Sequence, residues 1–266
     1  MTLTIVTLLT DFGTADGYVA EMKGVLLTNA SGATLVDVSH ELPAHDVEAA
    51  RLTLARYWRR FPPGTVHLAV VDPGVGSARA ALAVESDGRF LVGPDNGVLS
   101  PALLLAGARA VRLPVGTRAA PTFHGRDVFA PAAARLLAGE AVDTLGNPAE
   151  DCVVRRTPEA RRLADGGIEG CVIAVDRFGN AITNLVAGAA VAQYGGTLTL
   201  GDRAVPVRRV YADVEPGAAV ALVGSNGLLE IAVREGSAAA RLGVARGARV
   251  VLRTGPPAPT SGVARG

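Results

Sequence analysis

The chain has 266 residues, 49% of them hydrophobic and 19% charged, with a formal net charge of +1. That balance excludes a disordered tail as the whole molecule, and the near-zero charge supplies no field for sequence-independent nucleic-acid binding. The length reaches the size at which a single hydrophobic core stops growing, so two modest domains are expected.

In chain order, apolar runs over residues 3–9, 34–38 and 66–71 read as strands and alternate with helical patterns over 17–29 and 46–60. This alternation marks a mostly parallel α/β sheet. In the second helix Val47, Ala50, Leu54, Tyr57 or Trp58, and Phe61 recur at helical spacing behind Asp46, a side chain suited to an N-cap, so Trp58 belongs to the core. Residues 80–84 and 89–92 flank Ser86-Asp87-Gly88, a hairpin signal that adds an antiparallel excursion. A helix over 127–138 closes the N-terminal α/β domain, drawn at 1–160 because the charged, proline-containing stretch 140–168 reads as linker.

Beyond the boundary, strands over 170–175, 197–200, 204–210, 219–223, 228–233 and 249–253 are separated by Gly- and Asp-rich turns, the spacing of a small all-β barrel or sandwich over 161–255. The Pro/Gly/Ala/Ser-rich end from residue 254 is expected to be disordered, with the tail proper at 256–266. Cys152 and Cys171 lie too far apart for a CxxC motif. The N-terminus lacks a basic n-region and cleavage site, and no apolar run spans a bilayer, so a reducing cytoplasm is the expected location and no membrane partner is expected.

Polar clusters stand where apolar runs end, which is where loops on a rigid scaffold carry chemistry. Asp11 closes the first strand, and a carboxylate there can accept two hydrogen bonds from a ribose diol, or cap the following helix, as Asp16 can. Gly74-Val75-Gly76 begins like a dinucleotide fingerprint but lacks the third glycine and follows the third strand, which disfavours NAD. It serves equally as a turn projecting Asp72 with Arg79 nearby, whether as site residues or as a simple ion pair. His124, between Phe123 and Gly125 behind Pro121, is expected in a constrained pocket, whereas His40, His45 and His67 read as structural. No paired-histidine spacing exists, so no metal is expected.

Asp176-Arg177-Phe178-Gly179-Asn180 offers Phe178 to stack on a purine and Asn180 to hydrogen-bond it, or forms an Asx turn. Gly224-Ser225-Asn226-Gly227 with Glu230 offers amides and a hydroxyl to an amino-acid carboxylate and a carboxylate to its ammonium, or forms a hairpin turn.

Taken in order, Leu9 to Gly13 with Tyr18-Val19 and Met22-Lys23-Gly24, Val71 to Gly76, Gly93 to Gly97, Thr122 to Ala130, Phe178-Gly179-Asn180 with Thr183-Asn184, and Gly224 to Ile231 resemble the S-adenosylmethionine (SAM) hydrolase family. The resemblance covers nearly the whole chain. It implies an N-terminal α/β domain and a C-terminal β-barrel, assembled as a homotrimer with interface sites. It also implies attack of water on C5′ of SAM to release adenosine and methionine, with the R sulfonium epimer as one candidate substrate form. The family's catalytic set falls on Asp72, Arg79 and His124. Asp11 takes the ribose-diol position; Phe178, Asn180, Tyr211 and the Val233 backbone surround adenine; Asp16, Asp176, Ser225 and Glu230 face methionine. SAM is then the substrate and no cofactor is expected.

Related halogenases share the adenosyl pocket but carry an aromatic residue at the position of Asp72, and a buried carboxylate beside a halide is repulsive. Gly125 lacks the hydroxyl that fluorinases place there, although chlorinases tolerate glycine, and the Ser86-Asp87-Gly88 turn has no room for the fluorinases' longer insertion. A non-catalytic SAM or adenosine sensor is the rival from another class, and the complete Asp72, Arg79, His124 set argues against it.

Overall fold

The computed structural model describes residues 4–186 and 196–253, so the tail expected to be disordered lies outside the described residues. The chain divides into two compact units, Met1–Arg156 and Thr157–Gly266. The sequence places this boundary near residue 160.

The first unit runs β1 (Ile5–Thr10), α1 (Tyr18–Asn29), β2 (Thr34–Ser39), α2 (Val47–Tyr57), β3 (Val66–Val70), β4 (Ala81–Ser86), β5 (Arg89–Pro94), α3 (Ser100–Leu103), β6 (Arg109–Leu113), α4 (Ala130–Leu137) and β7 (Asn147–Pro148). Its strands form one sheet in the order β2-β1-β3-β5-β4-β6-β7. Pairings among β2, β1, β3 and β5 are parallel, and those among β5, β4, β6 and β7 are antiparallel. The parallel strands and the antiparallel excursion expected from the sequence are both present, and together they make a mixed sheet. The reversal originates at the β4–β5 hairpin, where Asp87 (φ 49) and Gly88 (φ 69) are both left-handed, the twist that suits a two-residue hairpin turn.

All of β1 is buried because helices cover both faces of the sheet. Val6 and Leu8 join Met22 and Leu26 of α1 and Ala133 of α4 in one core, while Leu9 joins Ala50 and Leu54 of α2, Trp58 and Ala102 of α3 in the other. Alternate residues of one strand thus feed opposite layers. Asp46 caps α2, its Oδ1 accepting the Ala49 N–H at 3.0 Å, and Trp58 is 2% exposed in a 3-10 turn that continues the helix.

The helix expected over 127–138 is two structures: a π-helical turn over Gly125–Phe129, then α4. Part of the expected linker belongs to the first sheet, because β7 pairs with β6.

The second unit runs β8 (Arg161–Arg162), β9 (Ile168–Val175), β10 (Ala181–Val186), β11 (Thr197–Leu200), β12 (Arg203–Pro206), β13 (Ala219–Val223), β14 (Leu228–Val233), α5 (Ala238–Leu242) and β15 (Arg249–Arg253). Antiparallel pairing gives the order β12-β11-β15-β9-β10-β14-β13, with β8 also on β9. A parallel bridge between Val207 and Ala221, with the Arg208 N–H donating to the Ala221 carbonyl at 2.8 Å, nearly closes the sheet into a barrel. Val172, Leu198, Val205, Ile231 and Leu252 fill its core. The strand expected over 204–210 ends at Pro206 and gives way to a 3-10 turn at Tyr211–Asp213.

Candidate functional site

Thr10 of β1 lies in register with Val70 of the neighbouring parallel strand β3, so Asp11 and Asp72 leave the sheet at adjacent carboxyl ends. Ligands of open α/β sheets bind at that edge. After Asp72 the chain turns tightly: the Ser77 N–H and hydroxyl both donate to the Gly74 carbonyl, at 3.1 and 2.7 Å. Gly76 (φ 76) passes so close to the next loop that a Cβ there would stand 2.5 Å from the Pro121 carbonyl, so only glycine lets the Asp72 loop meet the loop that carries His124.

The turn brings Arg79 back onto Asp72. Its Nε donates to Oδ1 at 2.9 Å and Nη2 donates to Oδ2, a bidentate pair with side chains 9% and 6% exposed. The guanidinium lies over the Phe129 ring at 5.2 Å, and Nη2 also donates to His124 Nδ1 at 3.1 Å. Because arginine keeps all its protons, Nδ1 must accept, which assigns the neutral His124 ring its proton on Nε2. His124 is 5% exposed; burial first, then the Arg79 charge, hold its pKa below the ordinary 6.5, against the pull of Asp72 and Asp127.

A brace absent from the sequence reading steadies this loop. Asp127 accepts the Ala120 N–H at 2.8 Å and Arg126 Nε at 2.7 Å, while Arg126 reaches Glu21 at 2.7 Å and covers the Phe123 ring at 5.1 Å. Arg126 holds the Asp127 carboxyl below its usual range. Phe12, Tyr18 and Phe123 meet edge to face with centroids 5.3–6.1 Å apart, an aromatic corner beside Asp11 in the chain. A π-helical turn next to these groups is a common mark of a site, but nothing in residue type announces it.

Asp11 accepts the His45 N–H at 2.7 Å, from a residue held at φ 65. Gly17 is the N-cap of helix α1 and no side chain caps it, so neither Asp11 nor the exposed Asp16 serves as its cap. Two of the histidines read as structural are buried beside threonines: His40 Nδ1 lies 2.8 Å from Thr10 Oγ1 and His67 Nδ1 lies 2.8 Å from Thr7 Oγ1. His45 is exposed.

In the second unit, Asp176 Oδ1 accepts the N–H groups of Phe178 and Asn180 at 2.9 and 2.8 Å, and Oδ2 accepts Asn180 Nδ2 at 3.0 Å. The Asx turn is real, and it presents Phe178 at 76% exposure while Asn180 is buried. At that exposure the ring lies outside the barrel core. Tyr211 donates its hydroxyl to Glu230 Oε1 at 2.5 Å; burial and then Glu230 push the phenol up to about 12, so it stays a donor. Glu230 is buried, whereas Ser225 is exposed on the β13–β14 hairpin turn, closed by Gly224 N–H to Leu228 carbonyl at 2.8 Å. Val233 ends β14, its carbonyl accepting the Gly236 N–H at 3.0 Å.

The structure thus joins Asp72, Arg79 and His124 in one network with Asp11 on the adjacent strand end. It groups Asp176, Phe178 and Asn180 in one turn and pairs Tyr211 with Glu230. Among the described residues no three His, Cys, Asp or Glu side chains form a metal-holding group, and no helix is long and apolar enough to cross a membrane.

A mixed α/β unit is followed by a nearly closed antiparallel barrel, each with polar groups at loop and strand ends, and in such a fold it is the site rather than the architecture that sets the chemistry. Residues 6–146 match the SAM hydroxide adenosyltransferase N-terminal domain and residues 170–251 match its C-terminal domain, and the chain belongs to that family. An (R)-S-adenosyl-L-methionine hydrolase of Thermus thermophilus is 45% identical over 86% of this chain and 91% of its own length. One of Methanocaldococcus jannaschii is 33% identical over 86% and 88%, and a fluorinase of Actinopolyspora mzabensis is 30% identical over 86% and 90%. Among solved structures, an uncharacterized conserved protein from Thermotoga maritima aligns with a TM-score of 0.84 at 30% identity, covering 93% of this chain and 99% of that one.

Proposed function

We propose that the chain is a SAM hydrolase: water attacks C5′, the C5′–S bond breaks, methionine leaves as a neutral thioether, adenosine forms and one proton is released. The hydrolase relatives, at 33–45% identity, support this reading and favour the R sulfonium epimer as substrate. The observation that carries it is the buried Asp72–Arg79–His124 network. A sulfonium needs no acid to leave, so catalysis reduces to holding a water in line and receiving its proton.

Asp72 is the proposed proton acceptor. His124 Nδ1 already accepts from Arg79, and taking the water proton there would break that bond, so its Nε2–H orients the water instead. Arg79 holds the carboxylate by two N–H groups and stabilises the hydroxide character that develops on the attacking oxygen.

Asp11 would bind the ribose diol. Phe178, Asn180, Tyr211 and the Val233 backbone would hold adenine, with Asp16, Asp176, Ser225 and Glu230 on the methionine portion. No resident cofactor is needed, since SAM is the substrate. Active sites completed across a homotrimer interface and a cytoplasmic location belong to the same proposal.

Halogenation has less support. Asp72 would repel a halide, and against the fluorinase type in particular, a side chain at residue 125 would crowd Met22 and Phe123, whose atoms stand 3.1 Å from where its Cβ would be. The test is chromatography of resolved SAM epimers incubated with the protein, with and without chloride. Halide-independent adenosine and methionine support hydrolysis; a halide-dependent 5′-halonucleoside, or unchanged SAM with adenosine bound, overturns it.

A further inference from the structure

The loop bearing Asp72 and Arg79 is held at both stems by the residues that follow β5. Asn96 donates Nδ2 to the Val71 carbonyl at 2.8 Å, one residue before Asp72. The Asp95 N–H donates to the Ala80 carbonyl at 2.9 Å, one residue after Arg79. Arg79 Nη1 reaches the same Ala80 carbonyl at 3.3 Å. Asn96 is itself fixed: its Oδ1 accepts the Val98 N–H at 3.2 Å and its carbonyl accepts Arg155 Nε at 2.8 Å. A strap continues the bracing, with the Val153 N–H on Asp95 Oδ1 at 2.7 Å.

We infer that Asn96 is a positioning residue for the Asp72–Arg79 pair, an inference that rests on the proposed hydrolysis. Its amide sets where the chain leaves β3. That departure point fixes Asp72, and through Asp72 the angle at which one guanidinium meets both the carboxylate and His124. Turnover that depends on in-line geometry is sensitive to such displacements: about 1 Å is worth roughly 10²-fold. Substrate binding by Asp11 and the barrel residues does not depend on this amide.

The experiment compares wild type, Asn96→Asp, Asp72→Asn and the double variant. Asn96→Asp keeps the acceptor for the Val98 N–H but puts an oxygen where the donor to Val71 stood. The expected result is a kcat lower by about 10- to 100-fold, with KM for SAM and Kd for adenosine within about threefold of wild type. In the Asp72→Asn background the same substitution should cost less than about threefold, because Asn96 acts through Asp72. An unchanged kcat, or losses that simply multiply in the double variant, would overturn the inference. If Asn96→Asp does not fold, Asn96→Ala carries the same test; if neither folds, Asn96 is a determinant of the fold and the inference fails. A wild type that leaves SAM intact would instead refute the function, so the two failures are distinguishable.

Discussion

Arg79 donates an N–H to Nδ1 of His124 at 3.1 Å, and this contact ties the protonation of the ring to the geometry of the Asp72 carboxylate that Arg79 also grips. A proton arriving on Nδ1 displaces Arg79. Burial and the guanidinium both oppose that proton, so the folded pKa lies below 6.5.

The pH profile follows. Above the lowered pKa the ring is neutral and the network intact, so kcat/KM should stay level through neutrality. It should fall only as the pH drops below the ordinary histidine range. An acid limb with its midpoint above 6.5 would contradict this arrangement.

Arg79→Lys should cost turnover about 10²- to 10³-fold while adenosine affinity is retained. One ammonium cannot reproduce two N–H bonds to Asp72 and a third to His124 from a planar fork. Steady-state kinetics beside calorimetry with adenosine separate the two quantities; activity within tenfold of wild type would argue that the fork is not required.

The strand ends carrying Asp11 and Asp72 were legible because buried parallel strands write themselves as short apolar runs that stop at polar residues. The β4–β5 hairpin was legible from Asp87-Gly88. Strand β10 was not, because Thr183 and Asn184 interrupt its apolar pattern. Both are buried with their polar groups satisfied, Thr183 on the Leu229 carbonyl at 2.7 Å and Asn184 on the Cys171 N–H and the Pro158 carbonyl at 2.8 and 2.7 Å. Strand β6 exposes Arg109 and Arg112 at an outlying position, and β7 has two residues, too few for any periodicity. The Arg126–Asp127–Glu21 brace joins residues 105 apart in sequence, a pairing that only the fold creates.

Tyr211→Phe should act on substrate binding. If Glu230 reads the methionine ammonium, losing the phenol that donates to it at 2.5 Å should raise KM about 5- to 30-fold with kcat within about threefold. An effect confined to kcat would remove Glu230 from the binding role.

His67 predicts acid sensitivity of the first unit's fold. Burial, then the Arg89 charge, lower its pKa to about 3, and it sits among Tyr57, Phe61 and Trp58 at 5.6–6.3 Å. The unfolded chain binds the proton first, so this contribution is complete above about 6.5 and is lost as pH falls toward 3, by about 1.4 kcal/mol per unit. Urea unfolding between pH 7 and 4 should show that slope, and His67→Gln should flatten it; equal slopes in both proteins would contradict the assignment.

Turnover in water enriched in oxygen-18 tests the central claim most directly. Attack of water on C5′ predicts one heavy oxygen in the 5′-hydroxyl of the released adenosine and none in methionine, with or without chloride. Adenosine formed without the label, or replaced by a 5′-chloronucleoside when chloride is present, would contradict it.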